Sequence, residues 1–273
     1  MNSVGPLAPD MYPLATHPPT AAANVLTVTE YLGYGLVALA AVTLCWYLRW
    51  YAHRIITTPY RSQWRYLAVG IGAAAVYGLA GLAETAGVTP AGTFRRGATL
   101  FVFLFSAVGV RAVHRSVGGP SIVSDRTLQW LGPVVVAGFV GAWWGLFLLA
   151  SPASVAGLEV AGLVVATAYT LYHAVGTVRA EEGTSIAAVT RQFVPALLAL
   201  AVVAVADHVA ALGYGPTAVS EAAALVGTVI AGAFLVSTAV AIRQQGGEVQ
   251  RLYDPSTWRG SRRTERLGHD ADD

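Results

Sequence analysis

Seven stretches of this chain are each long and apolar enough to cross a bilayer, and that constrains its fold more than any other feature. A hydrocarbon core of about 30 Å requires about 20 apolar residues of helix. Tyr31–Tyr51, Trp64–Gly87, Gly97–Val117, Leu128–Ala150, Val155–Val178, Phe193–Leu212 and Ala218–Ile242 all satisfy it. Backbone polar groups in lipid must be satisfied within their own segment, so these windows read as helices despite their many valines and glycines. Charged residues make up only 12% of the chain, against about 25% in a soluble domain. The expectation is an all-α membrane protein, a seven-transmembrane-helix bundle.

The basic residues give this bundle a direction. The chain has no lysine, so all 17 basic residues are arginines, and fifteen of them fall on one side of the predicted spans. Only Arg95 and Arg96 fall on the other. Positive charge marks the cytoplasmic face, which puts the N-terminus outside and the C-terminus in the cytoplasm of a multi-pass cell-membrane protein. An odd number of spans requires the same arrangement. Residues 1–28 lack a basic start followed by an apolar run, so they read as an extracellular flexible arm rather than a signal peptide. Residues 29–243 form the bundle. Residues 244–273 form a cytoplasmic polar tail, too short for a catalytic or nucleic-acid-binding domain. Its "RGSRRTER" piece is either solvated or in contact with anionic headgroups.

Several chemistries have no residues to perform them. Without lysine there is no side-chain amine for a Schiff base. Cys45 is the only cysteine, so a disulfide framework and a cysteine metal site are both excluded. No histidine–carboxylate pair has metal-ligand spacing, and the serines and threonines lack a partnered base. No catalytic and no metal-ligating residue is predicted.

What remains is a set of polar residues at membrane depth, where ionisable groups are expensive and usually face the bundle interior. Glu30 opens the first span, Glu84 closes the second, and Arg95 and Arg96 open the third. Glu159 sits one turn into the fifth, Asp207 and His208 lie in the outer third of the sixth, and Glu221 opens the seventh. Taken singly, Glu30, Glu159 and Glu221 are also explained as carboxylates at helix entrances. Asp207 is preceded by "LALAVVAVA" and is too deep to snorkel, so it should face inward toward a partner, either Arg96 or a neighbouring acid. Glu30, Glu84, Arg96, Asp207 and Glu221 are the candidate outer-side relay cluster. Trp143 and Trp144 fit an interfacial aromatic belt, and Tyr169 and His173, at i and i+4, fit ordinary packing.

This layout resembles the microbial rhodopsin family. "TEYLGYGLVALAAVTLCWYL" is similar to that family's first helix, and "RRGATLFVFLF" to the start of its third, where Arg96 matches a family arginine. "GYGPTAVSEAAALVG" resembles the entry to the seventh, with Glu221 matching a glutamate of some proton pumps. The resemblance spans roughly Thr29 to Arg243. It implies that Ala233 stands where the family keeps its retinal-binding lysine and Thr99 where it keeps the counter-ion. Leu100, Val203, Ala206 and Ala210 stand for the aromatic cage, and Asp207 replaces a proline. These residues, with Ala233, are the candidate pocket lining. Covalent retinal is excluded, while a small-lined interior leaves room for non-covalent retinal or a carotenoid.

Three functions follow as expectations. The first is a lysine-less, rhodopsin-like sensor or interaction module, with the lipid bilayer, a homo-oligomer or a signalling protein as partner. The second is a proton or ion transporter or channel using the outer carboxylates. The third is a membrane enzyme of lipid or isoprenoid metabolism, disfavoured by the scarcity of clustered Asp and His.

Overall fold

The computed structural model describes residues 21–54, 61–116, 118, 124–149, 152–180, 182, 185–214 and 216–252. The first twenty residues of the predicted arm, and the tail from residue 253 with its "RGSRRTER" piece, lie outside the described residues. Among those described, the chain forms seven α-helices: α1 (Ala21–Arg54), α2 (Arg61–Thr85), α3 (Ala91–Ser116), α4 (Asp125–Leu149), α5 (Pro152–Ala180), α6 (Ser185–Ala211) and α7 (Thr217–Leu252). Six of them are long and apolar enough to cross a membrane; within α4 the described apolar stretch is shorter, Val134–Gly145.

Two domain boundaries shift. Residues 21–28, expected in the arm, belong to α1, and residues 244–252, expected in the tail, belong to α7. "AAANVLTV" contains no helix breaker, and the Thr29 hydroxyl donates back to the Val25 carbonyl at 2.8 Å. The α7 extension, "QQGGEVQRL", is polar, and neither hydropathy nor charge marks the end of a helix leaving a membrane.

The turns after α2 and α6 follow from single glycines. Gly87 has φ 86° and Gly213 has φ 72°, a left-handed conformation that only glycine adopts cheaply. Val88 N–H then donates to the Ala83 carbonyl at 2.9 Å and Tyr214 N–H to that of Val209 at 3.0 Å, the Schellman closure. Each turn sends the next helix back antiparallel. Helices α1, α3, α5 and α7 therefore begin at one end of the molecule, here the acidic end; α2, α4 and α6 begin at the other, the basic end.

Helices α1, α2, α3, α5, α6 and α7 touch in that cyclic order, with α7 closing back onto α1. Helix α4 stands outside this ring and packs on α5. Small residues set the spacing. A Cβ on Gly78 would lie 2.7 Å from the α1 backbone at Ala38, and one on Gly109 2.7 Å from the α2 backbone at Leu67. The middle of the ring is filled by side chains, among them Leu44, Ile71, Tyr77, Phe103, Val203 and Leu235, all buried.

Candidate functional site

At the acidic end, Arg95 projects from α3 into the ring. Its Nε donates to Glu84 Oε2 of α2 at 2.5 Å, and its Nη1 donates to Asp207 Oδ2 of α6. The Arg95 side chain is only 11% exposed, so it requires this pairing. Glu30, Glu221, Tyr34 and Thr228 complete a pocket of 290 Å³ that also includes Ala206 and Ala210. Four carboxylates thus surround a single guanidinium.

The arginine in this pocket is Arg95, not Arg96. Neighbouring positions on a helix are about 100° apart, so only one of two adjacent arginines can enter the ring. Arg96 is exposed and acts electrostatically on a second cluster, at Glu159 and His208.

That second cluster is buried. Glu159, 2% exposed, accepts from the Trp143 indole N–H at 2.7 Å on Oε1 and pairs with His208 Nε2 at 2.6 Å on Oε2. His208 Nδ1 meets the Ala204 carbonyl at 2.5 Å. With acceptors at both ring nitrogens, the geometry suits an imidazolium on a carboxylate. Trp143 of α4, Glu159 of α5 and His208 of α6 form one chain, and the residue beside His208 is Asp207, which holds Arg95 and through it Glu84. Five helices are tied together in this way. By sequence alone Glu159 reads as an entrance carboxylate and Trp143 as an interfacial aromatic; the one visible signal is His208 directly beside Asp207.

Trp143 also borders a cleft. Because α4 stands off from α3, a space of 790 Å³ remains between α2, α3 and α4. Its walls are apolar apart from Thr93 and include Phe94, Phe101, Phe105, Phe139, Trp143 and Trp144. Gly72 and Gly97 line it as well, with open space where each Cβ would be.

The six residues expected to line one central pocket do not converge. Leu100 faces the lateral cleft, while Ala206 and Ala210 face the acidic-end pocket. Val203 is buried in the core, and the Thr99 hydroxyl donates to its own helix at the Arg95 carbonyl, 2.9 Å away. Ala233 is exposed on the outside of α7, whereas Ala231 (0% exposed) and Leu235 point inward. The step from Glu221 to Ala233 turns a helix about 120° off the Glu221 face, so counting inward from that glutamate misses the interior.

Toward the basic end, His114 of α3 and His173 of α5 meet Nδ1 to Nδ1 at 2.8 Å, both buried. The Tyr169 ring packs edge-on against His173, with centroids 4.5 Å apart. The i, i+4 spacing of Tyr169 and His173 signalled this contact; the partner across the interface was not visible in the sequence. Among the described residues, no three His, Cys, Asp or Glu side chains group as a metal site. No protein-family model, curated protein or solved structure matches the chain.

Proposed function

We propose that this chain is a seven-span membrane protein on a rhodopsin-like plan, N-terminus outside, that binds an apolar ligand non-covalently and works as a sensor. The seat we assign to the ligand is the lateral cleft between α2, α3 and α4. The carrying observation is the double position of Trp143, which lines the cleft and also donates to Glu159. A ligand pressing on that indole acts directly on the Trp143–Glu159–His208 chain, and so on α5 and α6.

The cleft's chemistry indicates the ligand class. Walls with several aromatic rings and almost no polar atoms suit a long, apolar, conjugated or isoprenoid molecule such as a carotenoid or retinal. A covalent bond has no lysine to form it. The middle of the ring, filled by Tyr77, Phe103 and Leu235, favours a lateral seat over a central one. The orientation rests on the fifteen arginines of one face and the positive-inside rule.

Purification in mild detergent, followed by an absorption spectrum and solvent extraction, tests the reading. A coloured preparation that releases a polyene or isoprenoid supports it. A colourless preparation that neither releases nor takes up such a molecule overturns it.

A second reading rests on the acidic-end pocket, where Arg95 links Glu84 and Asp207 beside Glu30 and Glu221. These groups suit a proton or ion relay at the outer mouth. Flux into liposomes, compared with Asp207→Asn, tests it: equal flux in both proteins removes the role of Asp207. The filled middle of the ring, closed by Leu44, Ile71, Phe103 and Leu235, favours the sensor reading.

A further inference from the structure

Beyond the cleft and the acidic-end pocket, α3 and α5 form a third recess at the basic end. It measures 460 Å³ and is lined by His114, Leu171, Tyr172, Val175, Gly176 and Arg179. From Leu171 to Arg179 the helix rises about 12 Å, so the recess is a groove running from apolar wall to cationic rim. Gly176 makes the close approach of the two helices possible: a Cβ there would lie 2.5 Å from His114 Nε2. His114 is 2% exposed, and its Nε2 has no hydrogen-bond partner.

Arginines dominate this end of α3 and α5, with Glu181 and Glu182 following just past the end of α5. Arg111 and Arg115 act electrostatically on His173, and Arg115 also acts on His114. Arg111 reaches the Tyr169 hydroxyl, and Arg179 stands on the rim. Helix α3 carries no acid at all, and the only acid of α5, Glu159, lies at the opposite end. An apolar trough with Arg179 on its rim, and Arg111 and Arg115 near its buried histidines, complements a molecule with an acyl or prenyl chain and an anionic head. Arginine is well suited to the phosphate geometry, and basic pockets between membrane helices are established seats for anionic headgroups.

We propose that the α3–α5 groove at the basic end is a specific site for one anionic phospholipid, its chain along Leu171 and Val175 and its phosphate held at the Arg179 rim. The assignment does not depend on what the lateral cleft binds.

Native mass spectrometry of the full chain in mild detergent tests it, with phosphatidylglycerol, phosphatidylcholine of the same chains and inorganic phosphate as the three probes. One saturable phosphatidylglycerol adduct is expected, about fivefold tighter than phosphatidylcholine. Both Arg179→Gln, which removes the rim charge, and Val175→Trp, which fills the trough, should weaken it about fivefold or more. Equal affinity for the two lipids overturns the proposal, as does phosphatidylglycerol binding unchanged in both variants. Full competition by inorganic phosphate replaces the lipid with a free anion and also overturns it.

Discussion

Trp143 donates its indole N–H to Glu159 at 2.7 Å, so a wall residue of the lateral cleft holds one oxygen of a carboxylate buried between α4, α5 and α6. Replacing Trp143 with Phe keeps most of the ring and removes the donor. Leaving a buried acceptor short of a partner costs about 1–3 kcal/mol. We expect a lower melting temperature for Trp143→Phe in detergent and none of that loss for Trp46→Phe, at a residue that is 72% exposed.

The two adjacent arginines should behave differently. Arg95→Gln leaves Glu84 and Asp207 without their shared cation; the cost is about 2 kcal/mol, below that of a fully buried pair because the Glu84 side chain is 41% exposed. Arg96→Gln should cost less than half as much. Denaturant titration of both variants, with the Arg95→Gln/Asp207→Asn double variant, should show non-additive losses only for the pair in contact.

Gly176 and Gly157 form a matched test of the α3–α5 contact. An alanine at Gly176 drives a Cβ to 2.5 Å from His114, whereas one at Gly157 meets nothing within 4 Å. Gly176→Ala should destabilise by about 1–3 kcal/mol through overpacking. Gly157→Ala should be neutral or mildly stabilising, since alanine is the better helix former. Thermal unfolding of the two variants side by side reads the difference.

The register of α7 can be tested with colour. Because Ala233 faces outward, Ala233→Lys should give no visible pigment when retinal is added, although it places an amine at the position that the rhodopsin resemblance implies. A Schiff-base absorption band in that variant would mean that position 233 does reach an enclosed chromophore seat.

These contrasts show which parts of the molecule were legible in its sequence. The helices were, because membrane-length apolar windows are fixed by composition and length, and Gly87 and Gly213 mark two of the turns. The rotation of each helix was not. Ala231 and Ala233 are chemically identical, as are Arg95 and Arg96, and Trp143 and Trp144; only packing determines which member of each pair faces inward. In lipid an apolar side chain is at ease on either face, so the usual inside–outside pattern of a soluble helix is missing. The inward turn of Asp207 was readable because a carboxylate at that depth needs a partner. The Trp143–Glu159–His208 chain was not, since it depends on how α4, α5 and α6 meet.

Titrating the purified full chain with a carotenoid, followed by absorption and induced circular dichroism, decides whether an apolar ligand sits against Trp143 in the lateral cleft. Gly97→Phe is the control, because Gly97 lines the cleft with open space beside it. We expect saturable binding of one molecule per chain, weakened about tenfold or more in a Gly97→Phe protein that still unfolds cooperatively. No saturable binding, or equal binding by both proteins, would contradict it.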